Sequence, residues 1–494
     1  MSGGISARSE PMEDSHCPVN KKRRLIPRPC FQVDNTESAR SQWPTFLSLP
    51  EDIVSRIISE LTLKEAVRMS AICSKLRTAW IYHPNLDLGM STVGGSDIST
   101  VRGSNTKKRN RKADPQKGKL NVEKFIDTVN TFLRGHSGIA VNKLAINFEL
   151  RKEHASDIDG WVSFAIASKA KMVTLNFYPY PGSDNNYAFP CHLFSSQNAS
   201  YLRVLRLGCV TFGPSPDFCG FPNLTTLALE RVLVPQDLQY LLLKCPALER
   251  LSIQRSLLHD LHASEPLVRL KYLCVQGCTI KKIDVLAPNL STFEYRGGSQ
   301  VLIMIHGCKL KTASIVFHVE RNLEYVFTRL PKVLPHVETL HVEVFVETQM
   351  PGFTHAPLTF LHLRHLTMKI IFSSAKRGKH AVLQLGYILE AAPHLVDLHI
   401  DMYCIDGCEC RPKGDVITNH HHHNLKRVCI TGFNGNGGQV ALAKYILRNA
   451  VNLEQMTVDP RGRMGHQLLG EYFGRISAKE KLVPKDKRGV LTIL

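Results

Sequence analysis

From about residue 120 onward the sequence keeps returning to one short apolar phrase, L-x-x-L-x-L in its plainest form. It reads Leu202-x-x-Leu205-x-Leu207, then Leu224-x-x-Leu227-x-Leu229, Leu248-x-x-Leu251-x-Ile253 and Leu270-x-x-Leu273-x-Val275. Looser copies begin at Val141, Ala170, Leu290, Leu310, Val337, Leu363, Leu395, Leu425 and Leu453. The thirteen starts are 20 to 32 residues apart, with a mean step of 26. A unit this short cannot bury its apolar face alone, so it has to stack on its neighbours. Proline gives an independent signal for the register. Pro222, Pro246, Pro288, Pro335 and Pro393 each stand two residues before a start, five of 26 prolines at thirteen positions in a chain of 494. Proline ends a returning helix and biases the residue before it toward extended backbone, so the chain enters a strand at each of these points.

That period is the one leucine-rich repeats use. The expected fold is an α/β leucine-rich-repeat solenoid, an irregular horseshoe over 120–423. Short parallel strands line its concave side, and helices or irregular loops cover the convex side. The position after the strand that often holds Asn or Cys carries Cys278 once, but Val210, Val232 and Ser256 elsewhere, so no regular Asn ladder is expected. Residues between the strand apolars face outward: Arg206, Arg250, Ser252, Tyr272, Glu294, Arg296, His341 and Glu343. Both charges together with Tyr suit recognition of a target protein, and an ordinary solvated sheet face would look the same.

Composition excludes several classes. No run of apolar residues is long enough to cross a bilayer, and Met1–Asn20 has no apolar core of a secretory signal. Fourteen scattered Cys do not form a disulfide framework, which suits reduced thiols in cytosol or nucleus. The net charge is +19, but 13 of those charges lie in residues 1–47, 91–120 and 461–494. The large body is close to balanced, so nucleic acid is not the expected partner. Two basic runs, Lys21-Lys22-Arg23-Arg24 and Lys107-Lys108-Arg109-Asn110-Arg111-Lys112, lie in polar, Pro- or Gly/Ser-rich stretches. Such runs can fit the acidic groove of a nuclear import receptor, and they also keep a solvated linker extended. These segments are expected as a basic arm (1–46), a flexible linker (89–119) and a basic C-terminal tail (461–494), and the site of action as nucleus, cytoplasm or both.

Between the arm and the linker lies a helical block, 47–88. Ser48-Leu49-Pro50-Glu51 and Thr62-Leu63-Lys64-Glu65 both have capping-box spacing. Ile53, Ile57, Ile58 and Leu61 stripe a first helix. Ala66, Val67 and Met69 lie on a second, and Ile72, Cys73, Leu76, Ala79 and Trp80 on a third that Pro84 ends. Three helices in about 40 residues do not make a self-sufficient core, so the block is expected to finish its core on another protein.

Leu49-Pro50-Glu51-Asp52-Ile53, Arg56-Ile57-Ile58, Leu61, Lys64-Glu65-Ala66-Val67-Arg68, Ser70, Ser74-Lys75 and Trp80 resemble an F-box of the plant type. Thr62 and Leu76 depart from its common pattern, with a helical reading kept. Farther on, Asn424-Leu425-Lys426-x-Val428-x-Ile430-x-Gly432-Phe433 and Ile446-Leu447-Arg448-Asn449-Ala450-x-x-Leu453-Glu454-x-Met456 resemble the FBD region of plant F-box proteins, over 424–460. F-box, irregular leucine-rich repeats and FBD in that order are similar to a plant F-box/leucine-rich-repeat protein. The resemblance implies the substrate-recognition subunit of an SCF-type cullin–RING ubiquitin ligase. Leu49, Pro50, Ile53, Ile57, Leu61, Val67 and Trp80 would face the Skp-type adaptor, and cullin and RING subunits would follow through it. The repeats would hold a target protein. The alternative is a protein-binding scaffold without a ligase role, its F-box degenerate.

Two chemical motifs are set aside. Cys404, Cys408 and Cys410 with His420 to His423 offer zinc-type ligands, but C-x3-C-x-C with four consecutive His is not a standard zinc spacing. The turn Gly432-Phe433-Asn434-Gly435-Asn436-Gly437-Gly438 precedes a helix, yet lacks the Gly-Lys-Ser/Thr ending of a phosphate loop. No catalytic set appears at a diagnostic spacing. The chain reads as non-catalytic, with no metal and no cofactor.

Overall fold

The computed structural model describes residues 49–72, 76–93, 115–178, 185–215, 217–235, 238–298, 301–307, 310–320, 323–347, 358–373, 387–404, 421–461 and 468–494. Two units divide the chain, Met1–Pro50 and Glu51–Leu494. The basic runs at 21–24 and 107–112, the cap at Ser48, and Cys408, Cys410 and His420 lie outside the described residues.

The second unit is built on one parallel sheet. In chain order its strands are β1 (Asn85–Gly89), β2 (Lys143–Asn147), β3 (Met172–Asn176), β4 (Val204–Gly208), β5 (Thr226–Glu230), β6 (Arg250–Gln254), β7 (Asp260–Ala263), β8 (Tyr272–Gln276) and β9 (Lys282–Leu286). They continue as β10 (Thr292–Gly297), β11 (Leu302–His306), β12 (Thr312–Glu320), β13 (Thr339–Glu347), β14 (His365–Ser373), β15 (Asp397–Cys404), β16 (Arg427–Thr431), β17 (Gln455–Asp459) and β18 (Leu491–Ile493). Fifteen of them form the main sheet in sequence order, and β7, β9 and β11 form a second sheet of three. Each of the thirteen repeat starts is followed, two residues on, by the first residue of a main-sheet strand. The second and fourth residues of these strands, such as Leu205 and Leu207 or Leu251 and Ile253, are buried in one continuous core. The first, third and fifth point to the other face. The chain is an open α/β leucine-rich-repeat solenoid preceded by a small helical block.

Left-handed turns set the step between repeats. Directly after β4, β5, β6 and β8, Cys209, Arg231, Arg255 and Gly277 take positive φ. Each N–H donates to the carbonyl of the next repeat: Cys209 to Glu230, Arg231 to Gln254, Arg255 to Gln276 and Gly277 to Arg296, at 2.6–2.9 Å. A side chain in that backbone region costs about 1–3 kcal/mol, so the ladder of turns persists only because the stacked repeats hold it. The missing Asn ladder is replaced locally. Ser256 Oγ accepts from Val232 N–H and donates to the Gln254 carbonyl, and Cys278 Sγ donates to the Gln276 carbonyl.

Several expectations are corrected. The convex side is not covered by helices and loops alone: Leu261, Ile283, Val285 and Ile303 alternate inward from the second sheet. The third helix of the N-terminal block is a short 3-10 turn, Ala79–Tyr82, after which the chain enters β1. Within the segment foreseen as a flexible linker, 89–119, Met90–Val93 is helical and a helix begins at Pro115. Finally, 461–494 is not a tail. It holds the helix Leu468–Lys481 and β18, which pairs parallel with β17 as the last rung. Asp486 ties that rung down by accepting N–H bonds from Arg488, Val490 and Leu491.

Candidate protein-docking surfaces

The N-terminal block contains α1 (Glu51–Glu60) and α2 (Leu63–Ile72). The second capping box forms as spaced. The Thr62 N–H and hydroxyl both donate to Glu65 Oε2, at 2.8 and 2.7 Å, and Glu65 N–H donates back to Thr62 Oγ1. The bond from the Thr62 backbone, then that from its side chain, holds the Glu65 carboxyl below the usual carboxylate range. Apart from Ile58, no side chain of α1 is buried. Ile53 is 40% exposed, Ile57 38% and Val67 41%, whereas Leu63 and Ala66 on the other side of α2 are buried.

The opposite side of the block is welded to the first coil. His83, itself buried, donates from Nε2 to the Leu61 carbonyl and accepts at Nδ1 from Asn85 N–H. His136 Nε2 donates to the His83 carbonyl, and His136 Nδ1 accepts from Gly138 N–H. Burial holds the His136 imidazole below its ordinary pKa, partly offset by that bond to His83. Trp80 packs tilted against Phe132 of the helix α4 (Pro115–Gly135), ring centroids 4.8 Å apart, and a Cβ on Gly135 would lie 2.8 Å from its ring.

The seven residues expected to meet an adaptor therefore divide. Ile53, Ile57, Val67 and Pro50 are exposed, Leu49 and Leu61 are half-buried, and Trp80 belongs to the seam. The block does not wait for a partner to acquire a back. It borrows one from the solenoid.

The second surface is the outward face of the main sheet. The registers place all eight expected target-facing residues on it: Arg250 and Tyr272 at the first strand position, Arg206, Ser252, Glu294 and His341 at the third, Arg296 and Glu343 at the fifth. The Arg250 guanidinium lies 4.1 Å over the Tyr272 ring. Burial, then Cys274 and Glu294, push the Tyr272 hydroxyl up, and burial lowers the His341 imidazole against the pull of Glu343. The same registers reveal residues that a reading of single repeats misses. Glu343 Oε1 meets Lys369 Nζ at 3.0 Å, and Asp397 sits between His365 Nδ1 at 2.6 Å and Arg427 Nε at 2.5 Å. His365, Asp397 and Arg427 line a hollow of about 320 Å³ with His399, Cys429 and Thr457. The signal that could have found them is position two, four or six residues after each repeat start.

The Gly-rich turn and part of the Cys/His stretch are among the described residues. In the Gly-rich turn the Asn434 and Gly435 N–H groups donate to Oε1 of the fully buried Gln439, so they point at a side chain and not at an empty cradle. His422 is buried, with Nε2 3.3 Å from the Tyr445 hydroxyl. Among the described residues no group of three His, Cys, Asp or Glu could hold a metal ion, and no helix is long and apolar enough to cross a membrane.

A block of short helices ahead of an open, all-parallel repeat sheet defines a class: an α/β repeat solenoid carrying a small helical module. Comparison with known proteins gives the family. The profile for the At1g61320/AtMIF1 LRR domain matches residues 132–493, and the F-box domain profile matches 46–87. The chain belongs to the F-box/leucine-rich-repeat family. It is similar to the F-box/FBD/LRR-repeat protein At1g13570 of Arabidopsis thaliana, at 23% identity over 84% of this chain and 91% of that one. An F-box/LRR-repeat protein of the same plant, At3g58880, is 26% identical over 83% and 90%. A further F-box/FBD/LRR-repeat protein there, At5g62970, is 21% identical over 88% and 98%. The match to residue 493 agrees with β18 being the last rung of the repeat array.

Proposed function

We propose that the chain is the substrate-receptor subunit of an SCF-type cullin–RING ubiquitin ligase. Adaptor roles of this kind are general for the F-box/leucine-rich-repeat family. The observation that carries the reading is α1, a ten-residue helix whose only buried side chain is Ile58 while Ile53, Ile57 and nearby Val67 stay open to solvent. An isolated helix of that length is marginal in water. Covering the two-fifths of these three aliphatic side chains that is still exposed would contribute about 2–4 kcal/mol, from ~1.5–3 kcal/mol for each one fully buried.

The Skp-type adaptor covers this strip, and cullin and RING subunits follow through it. The outward sheet face holds the target. This chain carries no bond chemistry of its own; it raises the local concentration of target lysines beside a conjugating enzyme. The basic runs at 21–24 and 107–112 fit action in nucleus or cytoplasm. The test is co-purification of the full chain with a plant Skp-type adaptor and cullin. Capture is expected for the natural sequence and lost in the combined Ile53→Ser, Ile57→Ser, Val67→Ser variant. A chain that takes up neither subunit is a scaffold and not a receptor.

A further inference from the structure

The outward sheet face is not electrically uniform. From β13 to β17, charged groups on the face or at its rim have opposite neighbours: Glu343 with Lys369, Asp397 with His365 and Arg427, Asp459 with Arg461. Asp401 accepts from the Thr431 hydroxyl. From β4 to β10 the pattern reverses. Arg206, Arg250 and Arg296 project from the face, and Arg231 and Arg255 stand on the left-handed turns at its far rim, all five exposed. Among the described residues Arg206, Arg231, Arg250 and Arg296 make no ion pair, and Arg255 only reaches Glu230 at 4.0 Å with both exposed. The acids at these positions are Glu230 and Glu294, and the latter is within 3.4 Å of Gln276 Nε2.

Gly277 shows that a residue without a side chain fits the same turn, yet two successive turns carry arginine in strained backbone. Arginine is the side chain best matched to carboxylates, since its planar fork donates two parallel bonds. Four strand spacings of ~4.8 Å separate β4 from β10, about 19 Å, the reach of about six extended residues.

We propose that this half of the face, from Arg206 to Arg296 with Arg231 and Arg255 at its rim, docks an extended, Asp/Glu-rich segment of the target protein. The inference rests on the receptor reading and narrows its substrate class. The spacing argues for carboxylates over phosphates: the arginines are spread one or two to a repeat, whereas a phosphate dianion calls for several converging on one point. It argues equally against nucleic acid, because Glu230 and Glu294 interrupt the patch and Tyr272 is its one aromatic platform, already covered by Arg250.

The experiment titrates the full chain with labelled peptides of about eight residues, at low salt and near physiological ionic strength. One peptide is Asp/Glu-rich, one is its Asn/Gln counterpart, and one carries a single phosphoserine among neutral residues. A single-stranded oligonucleotide is the fourth probe. The acidic peptide is expected to bind and the Asn/Gln peptide not. Arg206→Gln with Arg250→Gln is expected to weaken binding about tenfold or more, and so is Arg231→Gly with Arg255→Gly, which relieves the backbone. Lys369→Gln, in the compensated half, leaves it within about twofold. No binding of the acidic peptide at low salt, equal loss in Lys369→Gln, or tighter binding of the phosphopeptide or oligonucleotide overturns the proposal. Adaptor capture is measured on the same preparations. Capture without acidic-peptide binding sinks this inference alone, while peptide binding without capture supports the site and sinks the receptor reading.

Discussion

The helical block and the solenoid use the same kinds of side chain in opposite ways. In the solenoid, Leu227, Leu251, Leu273 and Phe293 are fully buried because each repeat is covered on both sides by the next. In α1, Ile53 and Ile57 hold the same apolar character at 40% and 38% exposure. One region has spent its hydrophobic surface on itself, and the other leaves part of it open to solvent. The seam at His83, Trp80 and His136 lets the block do so without falling apart, since its back is supplied by α4 and β1.

That contrast can be broken at several strengths. Phe293→Ala removes a fully buried ring, and an unfolding free energy from urea titration lowered by about 3–5 kcal/mol is expected. Gly474→Ala comes next. Its new Cβ would fall 2.0 Å from the Phe433 carbonyl, so a loss of about 1–3 kcal/mol is expected, with faster amide exchange in Leu468–Lys481. Acid acts on the seam. His136 has a folded pKa below its unfolded value, so its contribution is present above about pH 6.5 and lost as pH falls through the lower folded value. A thermal midpoint that declines from pH 7 to 5, with the slope reduced in His136→Gln, checks this. Ile57→Ser should do least, changing the stability of the free chain by no more than about 0.5 kcal/mol, as for an exposed position. A larger loss there would mean that α1 is core after all.

The solenoid was legible because its period, its prolines and its alternating apolars report one geometry. The places where legibility failed have physical causes. Main-sheet strands β1 and β18 went unread because the place that corresponds by register to a repeat start holds His83 and Arg488 where other repeats hold an aliphatic. His83 fills that place by pairing both ring nitrogens, which no apolar pattern can reveal. The second sheet was hidden because four- and five-residue runs such as Asp260–Ala263 do not differ by periodicity from loop. On the sheet face, period two alone placed the eight outward residues correctly. Which charges cancel is set by neighbours 26 to 32 residues apart, Glu343 with Lys369 and His365 with Asp397, and needed the strand register. For the helical block, helix spacing put Ile53 and Ile57 in one set with Trp80 and could not tell exposed from packed, since the Trp80 partner Phe132 lies 52 residues on.

Amide hydrogen exchange of the full chain, alone and saturated with the Skp-type adaptor, is the most direct measurement. Exchange in α1, Glu51–Glu60, is expected to slow strongly on binding while β4–β10 stays as it was. An α1 that the adaptor leaves unchanged would contradict the account.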